Sequence, residues 1–136
     1  MVSRGLRNNN PLNIRKSKDK FQGEKDSTDS AFKQFVSMAY GYRAAFVILY
    51  TYLQQGKNTV DRIIRSWAPA NDGNNTANYI SHVERRSGVD RYLTLNERSG
   101  SEYIKIVAAM SRSENGVDAD MEQVKAGFNL QNKIKL

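Results

Sequence analysis

The stretch that decides the fold of this chain is Arg4-Gly5-Leu6-Arg7-Asn8-Asn9-Asn10-Pro11-Leu12-Asn13-Ile14. Its consecutive Asn side chains compete with the backbone for hydrogen bonds, and Pro11 bars the residue before it from a helix. The stretch is therefore a loop that the fold holds in one shape, or a disordered tail. The features that follow favour the structured loop: Arg15, Phe21-Gln22-Gly23, Phe32, Phe35, Gly41-Tyr42-Arg43-Ala44 and Trp67-Ala68-Pro69.

The composition indicates a single globular domain, residues 1–136, with a basic surface. A chain of 136 residues can bury a core without cross-links. The net charge of +7 attracts polyanions such as nucleic acid, anionic lipid or the acidic polymers of a bacterial wall. The alternative interpretation is a solvated basic face that binds no partner. The absence of cysteine excludes disulfides, thiolate nucleophiles and cysteine-based zinc sites.

Neither a membrane helix nor a secretion signal is visible in the sequence. No run reaches the roughly 18 apolar residues of a membrane span. The opening Met1-Val2-Ser3-Arg4-Gly5 lacks the apolar core of a signal. We therefore expect a protein made in the cytoplasm without a signal peptide, which another component must carry or release if it acts outside the cell.

Hydrophobic periodicity predicts a mainly α chain of the α+β class, with an N-terminal lobe of loops and a small hairpin over residues 1–37. Helices follow that lobe, because apolar residues recur at three- and four-residue spacing. They run from Ser37 to near Gly56, from Asn58 towards Pro69, from Thr76 to Gly88, from Ser99 to Gly116 and from about Asp118 to Ala126. Ser37 and Asn58 are predicted N-caps, Ser99-x-x-Glu102 a capping box, and residues 128–136 a basic tail.

Five short motifs follow one another in a defined order. They are Arg4-Gly5-x-Arg7-Asn8-Asn9-Asn10-Pro11-x-Asn13-Ile14-Arg15, Phe21-x-Gly23, Phe32-x-x-Phe35, Gly41-x-Arg43-Ala44, and Trp67-Ala68-Pro69 with Asn75-Thr76-x-x-Tyr79-Ile80. Together they resemble a phage virion structural-protein family with a lysozyme-like fold, over roughly residues 4–90. Members of that family are usually assigned to peptidoglycan-cleaving tail or virion components, and they also occur in mobile elements of gut bacteria.

The Asn-rich loop has a second, more distant similarity. Asn10-Pro11-Leu12-Asn13-Ile14-Arg15 followed by Phe21-x-Gly23 resembles the Asn-x-Phe-Gly-Ile-Lys…Trp-x-Gly pattern of bacterial N-acetylglucosaminidases that trim peptidoglycan. In those enzymes a catalytic Glu lies on a helix before the Asn motif. Only nine residues precede Asn10 in this sequence, so we expect no such helix before the motif.

Cleavage of a glycosidic bond needs at least one acid that protonates the leaving oxygen. A lytic transglycosylase manages with one Glu, because the 6-hydroxyl of the sugar closes the product ring. Glu24 is the first candidate for this acid, since Phe21 can desolvate it. The alternative interpretation is that Glu24 is an ordinary carboxylate exposed on a loop. Asp26, Asp29 and Glu114 are the other candidates; Glu114 stands at a helix end, where its charge is unfavourable.

A second group of residues offers contacts for sugar: Trp67, Asn75 and Tyr79, with Asn13 from the Asn-rich loop. Aromatic rings stack on the apolar faces of sugars, and amide side chains bond to hydroxyls and acetamides. The alternative interpretation is that these residues stabilise the fold and contact no sugar. Trp67 completes the apolar stripe of its helix, and Asn75 or Thr76 can cap the next helix, with Thr76 favoured.

Asn8, Asn10 and Arg43 are expected to have structural roles. The two Asn side chains, like that of Asn13, would lock the loop by bonds to the backbone. Arg43 stands at a helix start that disfavours a cation. Its matching place in the family that the chain resembles implies a buried tie to the Asn-rich loop. His82 has no second His or Cys near it in the sequence, so neither a metal site nor a cofactor is expected.

The leading hypothesis is a phage or mobile-element protein that binds peptidoglycan glycan strands, with lytic transglycosylase or glucosaminidase cleavage as the activity to be tested. One alternative is a catalytically inactive structural protein, with other virion or conjugation-machinery proteins as partners. A second is a basic nucleic-acid-binding protein. No helix-turn-helix or RNA-binding pattern is present, so only non-specific binding of nucleic acid is expected.

Overall fold

Helices provide most of the regular structure in the computed structural model, which describes residues 2–136. They are α1 (Arg4–Arg7), α2 (Met38–Gln54), α3 (Val60–Trp67), α4 (Thr76–Ser87), α5 (Gly100–Asn115) and α6 (Met121–Asn129), with a 3-10 turn over Ala70–Asp72. Strands β1 (Glu24–Lys25) and β2 (Gln34–Phe35) form an antiparallel pair. The fold is mainly α with a small hairpin, as the periodicity predicts. Within residues 2–136, no helix is both long enough and apolar enough to cross a membrane.

Helix α2 lies at the centre of the core. Its Tyr42, Phe46 and Leu49 are buried, and burial of each such side chain contributes about 2 kcal/mol. The ring of Phe46 meets that of Phe128 from α6 edge to face, with centroids 5.2 Å apart. A Cβ at Gly127 would lie 2.6 Å from a backbone oxygen of α2. The absence of a side chain at Gly127 therefore lets α6 lie close against α2.

Helix α5 is buried along one face and ends beside the N-terminal lobe. Its buried residues include Tyr103, Ile106, Val107 and Met110. Gly116 follows the helix with φ 73°, the left-handed conformation that favours glycine, and its N–H donates to the carbonyl of Arg112. The helix therefore ends at the predicted glycine, with Glu114 and Asn115 in its last turn.

The predicted N-caps of α3 and α4 are each wrong by one residue. Thr59 rather than Asn58 caps α3, because its hydroxyl accepts a hydrogen bond from a backbone N–H of the first turn at 3.2 Å. Asn75 rather than Thr76 caps α4, because its side-chain amide oxygen accepts a backbone N–H of the first turn at 3.1 Å. The hydroxyl of Thr76 donates instead to the carbonyl of Ala68.

The starts of α2, α5 and α6 agree with the sequence to different degrees. Ser37 caps α2 as predicted, accepting a backbone N–H at 3.3 Å. The predicted capping box does not form, because the hydroxyl of Ser99 accepts an N–H from the preceding loop and Glu102 accepts from a neighbouring serine. Helix α6 begins later than predicted, since Asp120 rather than Asp118 stands at its N-cap.

The N-terminal lobe contains one helical turn, α1, that the sequence did not predict. Ser3 caps it by accepting a backbone N–H at 3.3 Å. The rest of the lobe consists of loops and the hairpin, as predicted. Glu24 lies opposite Phe35 in the strand pair, and Arg15 forms an isolated bridge with Phe32. The N–H of Phe35 also donates to the carbonyl of Asn8 at 3.0 Å, which joins the hairpin to the Asn-rich loop.

Residues 128–136, expected as a basic tail, pack back onto the start of α5. Phe128 and Ile134 are buried. The carbonyl of Lys135 accepts the N–H of Gly100 at 2.9 Å, and its own N–H donates to the carbonyl of Glu97 at 2.7 Å. This segment therefore belongs to the packed structure despite its basic composition.

Candidate functional site

The Asn-rich loop is held in one shape from inside by Asn10. Its fully buried carboxamide donates to the carbonyls of Ile14 and Lys33, both at 2.9 Å, and accepts the N–H of Ile14 at 2.8 Å. Asn9 and Asn13 adopt the left-handed conformation, with φ 51° and 54°, which Asn tolerates better than most residues. Side chains therefore replace the pairing that a helix or strand would give this backbone.

The loop lies directly against α2 and the end of α5. A Cβ at Gly41 would overlap the backbone oxygen of Asn9. A Cβ at Gly5 would lie 2.8 Å from side-chain oxygens of both Asn13 and Asn115. Two glycines therefore allow the close approach that brings the loop to the last turn of α5.

Glu114 lies where this loop meets α5. Its Oε1 accepts a hydrogen bond from Nδ2 of Asn13, and its Oε2 accepts one from the hydroxyl of Tyr79, both at 2.8 Å. Burial raises the pKa of Glu114 above its ordinary value, and the two hydrogen bonds offset only part of that rise. The carboxyl therefore keeps its proton to a higher pH than a surface Glu, which is what a general acid needs.

Tyr79 is a fixed donor to this carboxyl. Burial, the negative charge of Glu114 and the hydrogen bond between them raise the pKa of Tyr79 well above its ordinary value. The hydroxyl therefore stays protonated at neutral pH. Asn13 and Tyr79 were both predicted to contact substrate; the structure brings them together around Glu114, and their contact with a sugar stays a prediction.

Glu24, the first candidate for the acid, forms an ion pair within the N-terminal lobe. Its Oε1 lies 3.0 Å from Nζ of Lys33, and the two side chains are 6% and 1% exposed. Burial alone would raise the pKa of Glu24, but the N–H of Phe21 and the ammonium of Lys33 outweigh it and lower that pKa. Glu24 is therefore charged at neutral pH, which suits it to neutralising Lys33 rather than to donating a proton.

Asp29 and Asp26, the other acidic candidates in this lobe, lie in different surroundings. Asp29 accepts hydrogen bonds from Arg4 at 2.7 Å and from Nδ2 of Asn8 at 3.1 Å. The hydrogen bond from Arg4 is the main cause that holds the pKa of Asp29 far below its usual range. Asn8 thus binds a side chain rather than the predicted backbone, and the same holds for Asn13, whose Nδ2 donates to Glu114. Asp26 is exposed at the surface.

The remaining predicted site residues make contacts within the fold. Trp67 packs edge to face on Tyr52, with ring centroids 6.3 Å apart. Asn75 is exposed and caps α4. Arg43 donates from Nε to the carbonyl of Leu130 at 3.4 Å, so it ties α2 to the end of α6 rather than to the Asn-rich loop. Sugar contacts of Trp67 and Asn75 stay a prediction.

This mainly α chain with its Asn-rich loop is similar to a phage protein. It is 37% identical over 133 residues to "Protein P5" of Pseudoalteromonas phage PM2, an alignment that covers 93% of this chain and 81% of that protein. The chain belongs to the family of this phage protein. No protein-family model matches it. The similarity confirms the phage part of the interpretation drawn from the sequence and leaves the lysozyme-like family a hypothesis.

Proposed function

We propose that this protein is a phage-related glycosidase of peptidoglycan, with Glu114 as its general acid. The observation that carries this assignment is the half-buried carboxyl of Glu114, held between Nδ2 of Asn13 and the hydroxyl of Tyr79. A glycosidase needs an acid whose pKa is raised by its environment. Burial is the largest influence on the pKa of Glu114, and it acts in that direction.

The position of α5 supports the same assignment. In the N-acetylglucosaminidases that the Asn-rich loop resembles, the catalytic Glu lies on a helix before the Asn motif. In this chain α5 brings Glu114 to the motif from the other end of the sequence, and Nδ2 of Asn115 donates to the carbonyl of Pro11 at 2.8 Å. Under this proposal α5 supplies the acid that a helix before the Asn motif supplies in those enzymes.

In the proposed reaction, protonated Glu114 gives its proton to the glycosidic oxygen as the bond to the sugar breaks. Either water or the 6-hydroxyl of the same sugar then attacks the oxocarbenium-like carbon, and the second route needs no further carboxylate. Asn13 and Tyr79 stabilise the carboxylate that Glu114 becomes, because both are donors. Glu114 recovers its proton from the attacking hydroxyl.

A catalytically inactive wall-binding protein is a second candidate, and one observation favours it. Both carboxyl oxygens of Glu114 already have partners inside the fold, as they would in a network that only fastens α5 to the loop. Such a protein would still be related to the phage protein and would still bind glycan, but it would not cleave it.

The exposed lysines of the N-terminal lobe predict only non-specific, salt-dependent binding of nucleic acid. They are Lys16, Lys18, Lys20 and Lys25.

Incubation of the purified protein with insoluble peptidoglycan tests the proposed activity. We expect the wild type to release muropeptides, whose anhydro or reducing ends, identified by mass spectrometry, distinguish a transglycosylase from a hydrolase. Glu114→Gln should still sediment with the wall but release nothing. Release that survives this substitution would overturn the role of Glu114, and a wild type that sediments without release would support the inactive alternative.

A further inference from the structure

Asn115, the last residue of α5, bonds to three separate parts of the fold. Its Nδ2 donates to the carbonyl of Pro11 at 2.8 Å and to that of Ser111 at 2.9 Å. Its Oδ1 accepts the hydroxyl of Ser3 at 2.7 Å. Both N–H groups of the carboxamide are therefore used. A rotated carboxamide would turn its oxygen towards two carbonyl oxygens, so these carbonyls fix its orientation.

The Asn-rich loop forms a tight turn at the point that Asn115 binds. The N–H of Asn13 donates to the carbonyl of Asn10 at 3.0 Å, which closes a β-turn with Pro11 and Leu12 at its centre. Proline has a fixed φ and is favoured at the first central position of such a turn. The carbonyl that Asn115 binds therefore belongs to the same rigid turn as Asn13.

Two consecutive residues of α5 bind this turn at two points. Glu114 accepts Nδ2 of Asn13, and Asn115 donates to the carbonyl of Pro11. The two carboxamides lie close together, because a Cβ on Gly5 would be 2.8 Å from Oδ1 of both Asn13 and Asn115. One hydrogen bond would leave Asn13 free to move with the turn, whereas two attachments set where its Nδ2 lies against the acid.

The other hydrogen bond to the acid comes from a different element. The hydroxyl of Tyr79 on α4 donates to Oε2 of Glu114, and α4 packs directly against α5. A change that moves the turn should therefore remove the bond from Asn13 and leave the bond from Tyr79. The contribution of the turn to the acid can thus be measured by itself.

We propose that Asn115 is a positioning residue for Glu114: by holding the carbonyl of Pro11, it keeps Nδ2 of Asn13 on Oε1 of the acid. This inference rests on the proposed function, because it deepens the assignment of Glu114. Asn13 stabilises the carboxylate that forms when the proton leaves, so a turn that moves away would leave this charge with one donor fewer. Asn115 itself touches no reacting atom under this proposal.

Asn115→Ala tests the proposal at the acid itself. The hydrogen bond from Asn13 lowers the pKa of Glu114, so its loss should raise that pKa further above the ordinary value. We expect the NMR signal of the Glu114 carboxyl carbon, titrated without wall, to show this rise. Wall release at neutral pH should fall about fivefold, the effect of one lost hydrogen bond. An unchanged pKa in Asn115→Ala would overturn the positioning role.

Asn115→Ser is a milder variant of the same test, for use if Asn115→Ala folds poorly. A serine hydroxyl in a helix can bond to the carbonyl four residues earlier, here that of Ser111. It is shorter than the carboxamide of Asn, so the bond to Pro11 is lost. The pKa of Glu114 should rise in this variant as well, and an unchanged pKa would again contradict the proposal.

A double-mutant cycle with Asn13→Ala distinguishes positioning from general destabilisation. If Asn115 acts through Asn13, then Asn115→Ala in the Asn13→Ala background should leave the pKa of Glu114 unchanged and lower wall release by less than about twofold. Additive effects of the two substitutions would show that Asn115 does not act through Asn13 and would overturn the proposal.

Two control variants separate the position of the turn from stability. Ser3→Ala removes the hydroxyl that bonds to Asn115 and caps α1, so it should lower the midpoint of urea unfolding and leave the pKa of Glu114 in place. Asn129→Ala is the matched substitution, because Asn129 is the exposed last residue of α6, and it should change neither quantity. A rise in the pKa of Glu114 in either control would contradict a specific role of Asn115.

The titration and the release assay separate this inference from the proposed catalysis. A raised pKa of Glu114 in Asn115→Ala, combined with no wall release by the wild type, would keep the effect of Asn115 on Glu114 and refute the glycosidase. Wall release that depends on Glu114, with the same pKa in Asn115→Ala and the wild type, would keep the acid and refute the positioning role.

Discussion

Asn13 and Glu114 are 101 residues apart in the chain, yet Nδ2 of Asn13 donates to Oε1 of Glu114 at 2.8 Å. Asn13 reaches the carboxyl from a left-handed backbone position, φ 54°, in a loop that the buried carboxamide of Asn10 holds in shape. Two distant parts of the chain therefore meet at one carboxyl. The environment of Glu114 depends on how the N-terminal loop packs against α2 and α5.

Replacing Gly41 by Ala tests this dependence. The added Cβ would overlap the oxygen of Asn9 and lie 2.7 Å from Cδ of Pro11, so the loop must move off α2. We expect the free energy of unfolding in urea to fall by about 2 kcal/mol from overpacking, and wall release per folded molecule to fall with it.

Gly56→Ala is the control for that experiment. Gly56 has φ 81° and open space where a Cβ would lie. The substitution should lower the free energy of unfolding by about 1 kcal/mol, because a residue with a Cβ is strained in the left-handed conformation. Wall release per folded molecule should stay unchanged. If Gly41→Ala and Gly56→Ala released wall fragments equally, the loop would not position the acid.

Removal of the Tyr79 hydroxyl should shift the pH profile of wall release. Its hydrogen bond lowers the pKa of Glu114, so in Tyr79→Phe that pKa rises further and the acid stays protonated to higher pH. We expect the alkaline limb of the profile to move upward and the maximal rate to fall about five- to tenfold. Tyr103→Phe is the matched control, because that buried hydroxyl has no partner in the described part of the chain. A profile that moves in neither variant would argue against Glu114 as the titrating acid.

Stability should also depend on the protonation of Glu114. Its pKa in the folded protein lies above the ordinary value of 4.5, so the folded state binds the proton more tightly than the unfolded state. The resulting stabilisation is fully present below the unfolded pKa and is lost as pH rises through the folded pKa. Urea unfolding from about pH 4 to 8 should show the wild type losing stability relative to Glu114→Gln across that window. A constant difference would contradict the raised pKa.

Local signals made much of the fold predictable. Ser37 at the start of α2 is a capping residue that acts on its own first turn, and the structure confirms it. Gly88 and Gly116 end α4 and α5 with φ 72° and 73°, a conformation that glycine adopts without strain. The mainly α class and the small hairpin follow from periodicity, because both patterns act over a few residues.

The surroundings of each acidic residue were not predictable, because they depend on partners from distant parts of the chain. The pKa of Glu24 is lowered by the nearby N–H of Phe21 and also by the ammonium of Lys33, which lies just before β2 and whose contact the sequence does not show. Glu114 carries a visible signal, its place before Asn115-Gly116 at a helix end. Nothing in the sequence shows that Asn13 and Tyr79 meet its carboxyl, since tertiary packing brings them there.

The measurement that tests the central claim most directly compares Glu114→Gln with Glu24→Gln for wall release and stability at neutral pH. Glu114→Gln should be at least as stable as the wild type, with release reduced about 100-fold or more through loss of the acid. Glu24→Gln leaves the buried ammonium of Lys33 without its anion, so its free energy of unfolding should fall by about 3 kcal/mol while release per folded molecule is retained. Loss of release in Glu24→Gln together with retained release in Glu114→Gln would contradict the assignment of Glu114 as the acid.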